Sequence, residues 1–114
     1  MKEDIKQILR ERIDVLQKID EAYDKILNPG TRDEGLQTLE NLRGKDDAVL
    51  CIIGHAHELA FYEGERNPQE AEQAIKAYQE AIKRGHYDFL KEDIARIAKD
   101  AGLCIYKGEC PSLS

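Results

Sequence analysis

Residues 48–82 read AVLCIIGHAHELAFYEGERNPQEAEQAIKAYQEAI. The first half is almost entirely apolar, which indicates a helix that protein surrounds on most sides. A loop at 64–66 follows, and then Asn67, Pro68 and Glu70 form a helix-start pattern of cap, first-turn proline and acidic third position. The inward positions of the next helix are Ala71, Ala74, Ile75, Tyr78, Ala81 and Ile82. So many alanines on one face predict a closely packed helical hairpin.

The residues before this segment predict a second hairpin. Residues 3–27 are expected to form a long amphipathic helix, because large apolar residues recur every three or four positions. These residues are Ile5, Ile8, Leu9, Ile13, Leu16, Ile19, Tyr23, Ile26 and Leu27. Asn28-Pro29-Gly30 ends the helix, and Thr31 with Glu34 predicts a capping box that opens a shorter helix to about Arg43.

The remaining helix boundaries follow from short polar residues and glycines. Asp46 or Asp47 is expected to cap the third helix, and the fourth ends near Gly85. Asp88 is expected to cap a fifth helix that Gly102 ends. Because short loops make neighbouring helices antiparallel, the predicted fold is all-α, with about five antiparallel helices stacked as α-hairpins.

Length and composition agree with one small helical domain. The chain has 114 residues, which we divide into a domain at 1–102 and a C-terminal tail at 103–114. The net charge is −6, and basic residues alternate with acidic ones, so we expect neither nucleic acid nor a membrane as a partner. The charged N-terminus predicts no signal peptide, and three cysteines without disulfide-framework spacing favour the cytoplasm.

The two hairpins resemble a pair of tetratricopeptide repeats. The better copy places Leu50, Ile53, Gly54 and His57 on its first helix and Ala74, Tyr78 and Ala81 on its second. The fainter copy has Leu16, Ile19, Asp20 and Tyr23, followed by Gly35, Leu36, Leu39 and Leu42. The resemblance implies that small residues let the paired helices touch, and that the fifth helix caps the end of the stack.

The same resemblance implies a function, that of a non-enzymatic adaptor or scaffold which needs no cofactor. Such proteins bind a partner protein or peptide in a concave groove lined by the first helix of each repeat. The positions carried over to this groove are Gln17, Glu21, Asp24, Cys51, His55, Glu58 and Tyr62. A groove of this composition is polar and acidic at one end, and it suits a basic or amphipathic peptide.

Histidine and cysteine side chains offer alternative chemistry. His55 and His57 are two residues apart on a helix and therefore point about 200° away from each other, so they cannot share one metal ion. His55 with Glu58 or Cys51 is the better-placed set of ligands for a metal-binding protein, although it lacks the fourth group of a structural zinc site. Cys51 and His55 are one turn apart and would be the candidate nucleophile pair of an enzyme. Cys104 and Cys110 in the tail are expected to be a packed thiol and a free surface thiol.

A further alternative is self-association. Leu9, Leu16 and Tyr23 are spaced seven apart, with Ile19 and Ile26 between them, as in the seam of a short coiled coil. Arg12 lies on the same seam, which argues against a long apolar zipper. The first helix therefore offers a homodimer as the competing interpretation.

Overall fold

The computed structural model describes residues 2–85 and 87–103, the side chains of residues 2 and 3 excepted. It contains five α-helices and, within those ranges, no strand: α1 (Lys2–Ile26), α2 (Arg32–Asn41), α3 (Ala48–Glu63), α4 (Pro68–Lys83) and α5 (Leu90–Ala101). The all-α prediction and the order of the five helices are confirmed. Cys104, Cys110 and nearly all of the predicted tail lie outside the described residues.

Three of the predicted helix boundaries have the expected chemistry. The Asn67 side chain accepts a hydrogen bond from the Gln69 amide at 2.9 Å and caps α4. The Asp46 carboxylate accepts from the Ala48 amide at 2.8 Å at the start of α3. Gly102 has a φ of 69°, in the left-handed region where glycine carries no Cβ penalty, and it ends α5.

The predicted capping box at the start of α2 is wrong. The Thr31 hydroxyl donates to the backbone oxygen of Lys25 at 2.8 Å, and the Glu34 carboxylate pairs with the Lys25 ammonium at 2.9 Å. Both side chains therefore bond the last turn of α1, and the Thr31 side chain does not cap the amides of α2. The connecting turn is so short that unpaired carbonyls at the end of α1 lie within reach of Thr31.

The predicted side-chain cap of α5 is also not formed. Phe89 occupies the cap position, and the Lys91 amide bonds the backbone oxygen of Asp88 at 3.1 Å. The first turn of α5 is therefore closed by main-chain atoms.

Neighbouring helices pack in pairs around α3. The pairs α1 with α2, α3 with α4, and α4 with α5 make the most extensive contacts. One core cluster lies mainly between α3, α4 and α5, and the other joins α1, α2 and α3 with Ala77 of α4. The largest fully buried side chains are Phe61, Ile26, Leu39, Ile53, Ile97 and Val49. Because α3 contributes to both clusters, it is the central helix that its apolar sequence predicts.

Glycines allow the closest helix contacts, as the repeat pattern implies. A Cβ atom on Gly54 would lie 2.5 Å from Cε1 of Tyr78, so the α4 aromatic ring packs directly on the α3 backbone. A Cβ atom on Gly35 would lie 2.7 Å from the backbone oxygen of Ala22. Both hairpins therefore depend on a residue without a side chain at the helix crossing.

One charged side chain is buried and connects three helices. Arg32, at the start of α2, donates from Nε to the backbone oxygen of Ile26 at 2.8 Å. Its Nη2 donates to both carboxylate oxygens of Glu63, at 3.1 and 3.2 Å. The guanidinium thus joins the C-terminal ends of α1 and α3, where the Ile26 carbonyl and the Glu63 carboxylate accept its hydrogen bonds.

The apolar stripe of α1 is buried only in its second half. Ile19 and Ile26 belong to the core, whereas the large apolar residues before Val15 are exposed. The predicted coiled-coil seam is therefore wrong at Ile19 and Ile26, because the chain's own core already covers them. The first half of α1 extends beyond α2, and the molecule is elongated, with extents of 61 × 32 × 18 Å.

Candidate functional site

A row of half-buried side chains lies along one face of α3. The row consists of Cys51, His55, Glu58 and Tyr62, four of the predicted groove residues. Their spacing of four, three and four residues places them on one side of the helix. The other sides of α3 pack against the two core clusters. The row therefore lies where α3 is left partly open between its neighbours.

Helix α1 borders the row through an aromatic contact. The rings of Tyr23 and His55 are 6.2 Å apart between centroids and are inclined at 30°. Gln17, Glu21 and Asp24 are exposed on α1, and Asp24 is turned about 100° from Tyr23 by helix geometry. The side chain of α1 that meets the row is Tyr23, which the sequence analysis had assigned to the repeat core.

Helix α5 borders the row on the opposite side. The Nη2 atom of Arg96 donates hydrogen bonds to the Glu58 carboxylate at 3.2 Å and to the Asp93 carboxylate at 2.7 Å. The Tyr62 hydroxyl donates to the carboxylate of Asp100. The sequence analysis treated α5 as a cap alone and missed these three α5 residues. Their spacing of three and four positions places them on one helix face, and this was the sequence signal that could have identified them.

Tyr62 is held between two guanidinium groups. The Cζ atoms of Arg66 and Arg96 each lie 5.4 Å from the centroid of its ring, within cation–π distance. Burial, and then the hydrogen bond to Asp100, raises the pKa of the Tyr62 hydroxyl above its usual range. The hydroxyl is therefore neutral at physiological pH, and the ring presents an aromatic surface with fixed orientation.

Glu58 connects the row to the interior. Its carboxylate accepts from the Tyr78 hydroxyl at 2.8 Å and pairs with Arg96 at 3.2 Å. Burial, and then the bond to Glu58, raises the pKa of Tyr78 well above its usual range. This carboxylate is fixed by an α4 donor and an α5 cation, so it is an ordered negative group in the row.

The structure weakens the alternative of a Cys–His nucleophile. Burial, and then the nearby Asp47 carboxylate, raises the pKa of the Cys51 thiol to about 11. A catalytic cysteine requires the opposite shift, because the thiolate is the nucleophile. Cys51 also packs against the core cluster beneath the row. It therefore has the surroundings of a structural thiol.

The two histidines of α3 point to different neighbours, as their spacing predicts. His55 faces Tyr23 on α1, whereas His57 Nδ1 lies 2.7 Å from the Glu70 carboxylate on α4. Over the described ranges, no group of three or more histidine, cysteine or acidic side chains is arranged to hold a metal ion. His57 and Glu70 instead connect α3 to the first turn of α4.

Antiparallel helical hairpins, with small residues at their crossings and a partly open face on the central helix, define a tetratricopeptide-like helical protein. Comparison with known families agrees: the family described as Tetratricopeptide Repeats-Sensor (TPR-S) matches residues 1–97. The chain belongs to this family. No curated protein and no solved structure gave a significant match. In the described part of the chain, no helix is long and apolar enough to cross a membrane.

Proposed function

We propose that the chain is a non-enzymatic protein-interaction domain that binds a basic or amphipathic peptide of a partner protein. The peptide lies on the row formed by Cys51, His55, Glu58 and Tyr62. The observation that carries the proposal is that side chains of both α1 and α5 border this half-buried row. We place the α1 border at Tyr23, and we treat Gln17, Glu21 and Asp24 as residues outside it.

The charges around the row favour a basic peptide. Between α3 and α5, the three carboxylates of Glu58, Asp93 and Asp100 outnumber the two guanidinium groups of Arg66 and Arg96 that lie near Tyr62. The His55 ring supplies aromatic surface for the apolar or cationic side chains of the ligand. An aromatic anchor beside excess negative charge supports recognition of a peptide that carries lysine or arginine.

The name of the matched family adds a role to this binding. That name joins tetratricopeptide repeats with the word sensor. We propose that occupation of the row is the event that this domain senses, and that it takes place in the reducing cytoplasm, where three cysteines stay as thiols. The raised pKa of Cys51 supports binding in preference to covalent chemistry at the row.

The proposal is tested with labelled peptides of equal length and differing net charge, titrated with the full chain by fluorescence anisotropy. We expect basic peptides to bind and acidic peptides not to bind. His55→Ala and Asp93→Asn each remove a row contact, so each is expected to raise Kd by about 10-fold. The matched control is Gln79→Ala, an exposed substitution on α4, which should leave Kd unchanged. Equal binding by all three variants would contradict the proposed site.

A further inference from the structure

Helix α1 carries a continuous stripe of exposed apolar side chains. The exposed fractions are 58% for Ile5, 52% for Leu9, 55% for Ile13, 53% for Leu16, 37% for Tyr23 and 49% for Leu27. These residues share one side of the helix, next to the side that packs into the core. Six large side chains at this exposure form an apolar patch whose area is at the upper end of the range found on monomeric proteins.

The charges that accompany this stripe change sign along the helix. In the first half, the exposed charged residues that flank the stripe are Lys6 and Arg12. In the second half, the exposed charged residues within the stripe or beside it are Asp20 and Asp24. The acidic residues of the first half, Asp4, Glu11 and Asp14, lie on the opposite flank or the back of the helix by the same geometry. Along the stripe, α1 is therefore basic at one end and acidic at the other.

We propose that a second copy of this chain covers the stripe, with the two α1 helices antiparallel and Leu16 at the two-fold axis. In this register Leu9 lies opposite the partner's Tyr23, and Ile5 lies opposite the partner's Leu27. A parallel pair would place like charges side by side, whereas the antiparallel pair brings the basic half of each helix to the acidic half of the other.

The antiparallel register also pairs individual charges. Lys6 lies at the level of the partner's Asp24, and both residues are on the same flank of the stripe. Arg12, which interrupts the apolar seam, lies opposite the partner's Asp20. The residue that argues against a long apolar zipper therefore has a complementary charge at its level in the antiparallel pair.

The area of the stripe is sufficient for a dimer. The exposed half of a large apolar side chain is about 100 Å², so six of them remove about 1,200 Å² from solvent over the two protomers. The flanking charged side chains add to this area. Specific interfaces begin at about this size, so we expect reversible association. The dimer contact includes Tyr23, which is the α1 border of the proposed groove, and none of the four row residues on α3.

The first test is the mass of the full chain by light scattering over a concentration series. We expect twice the chain mass of 13.0 kDa at high concentration. Leu16→Glu places two carboxylates at the two-fold axis, and this variant should stay monomeric with an unchanged circular dichroism spectrum. Phe89→Glu changes an apolar residue that is 66% exposed but lies outside α1, and it should leave the mass unchanged. A wild-type monomer at millimolar concentration, or a dimer that persists in Leu16→Glu, overturns the proposal.

The second test establishes the orientation. Lys6→Glu alone and Asp24→Lys alone should each weaken the dimer by about 10-fold, because each creates two like-charge contacts across the interface. The double variant exchanges both charges and should recover the wild-type dissociation constant. Because only the antiparallel register joins residue 6 to residue 24, a double variant as weak as the single ones would refute it.

Discussion

The contact between Gly54 and the Tyr78 ring makes the sharpest prediction about stability. Replacing Gly54 with alanine adds a Cβ atom 2.5 Å from Cε1 and 2.6 Å from Cδ1 of the ring. Ordinary contacts begin near 3.4 Å, so the ring would have to retreat by about 1 Å. It cannot do so freely, because it is buried and its hydroxyl bonds Glu58 at 2.8 Å.

The expected size of the effect is a difference between two terms. Forcing extra atoms into a packed core costs about 1–3 kcal/mol, and a clash this close belongs in the upper part of that range. Alanine also favours the helical state over glycine by about 1 kcal/mol. We therefore expect Gly54→Ala to lower the free energy of unfolding by about 1–2 kcal/mol, although a helix-propensity argument alone predicts stabilisation.

The assay is urea denaturation followed by circular dichroism, with Gly54→Ala measured in two backgrounds. Valine at position 78 lacks all three ring atoms that the new Cβ atom would meet, so Tyr78→Val serves as the second background. There, Gly54→Ala should be neutral or stabilising by up to about 1 kcal/mol. An equal loss of stability in both backgrounds, or no loss in the wild-type background, would refute the steric explanation.

Three further predictions concern charged and titratable groups. Arg32→Met should lower the free energy of unfolding by about 2 kcal/mol, because it leaves the Ile26 carbonyl and the Glu63 carboxylate without their donor. Arg43→Met, at an exposed ion pair, should cost at most about 0.5 kcal/mol. Urea denaturation of both variants measures the difference. Because its pKa is raised to about 11, Cys51 should react with iodoacetamide at pH 8 about 100-fold more slowly than an unperturbed thiol. The rate is measured by peptide mass spectrometry, and a rate equal to that of an unperturbed thiol would contradict the burial of Cys51. The pKa of Tyr78 is raised on folding, so the folded state holds its proton more tightly than the unfolded chain does; this stabilisation is complete below about pH 10 and is lost as pH rises further. Unfolding free energies at pH 9 to 12 should therefore fall less steeply in Tyr78→Phe, and identical slopes would disprove the linkage.

Local sequence signals predict the helices well but their side-chain bonds less well. Proline after Asn67 leaves few alternatives, and the predicted cap of α4 forms. Thr31 and Glu34 match a capping box equally well, yet both bond Lys25 at the end of α1. A threonine hydroxyl bonds whichever acceptor the turn brings near, and that depends on how the chain enters the next helix.

The sequence alone is sufficient to predict five helices, their antiparallel pairing and the inward alanines of α4, because these follow from periodicity and turn residues within a few positions of each other. It also places Cys51, His55, Glu58 and Tyr62 on one face of α3. The tertiary structure alone identifies the neighbours of that face, Tyr23 on α1 and Asp93, Arg96 and Asp100 on α5. It also decides which half of the α1 stripe is buried. The physical reason is that contacts between distant helices depend on their crossing angles and axial rotation, which arise from the packing of the whole core and from no local repeat.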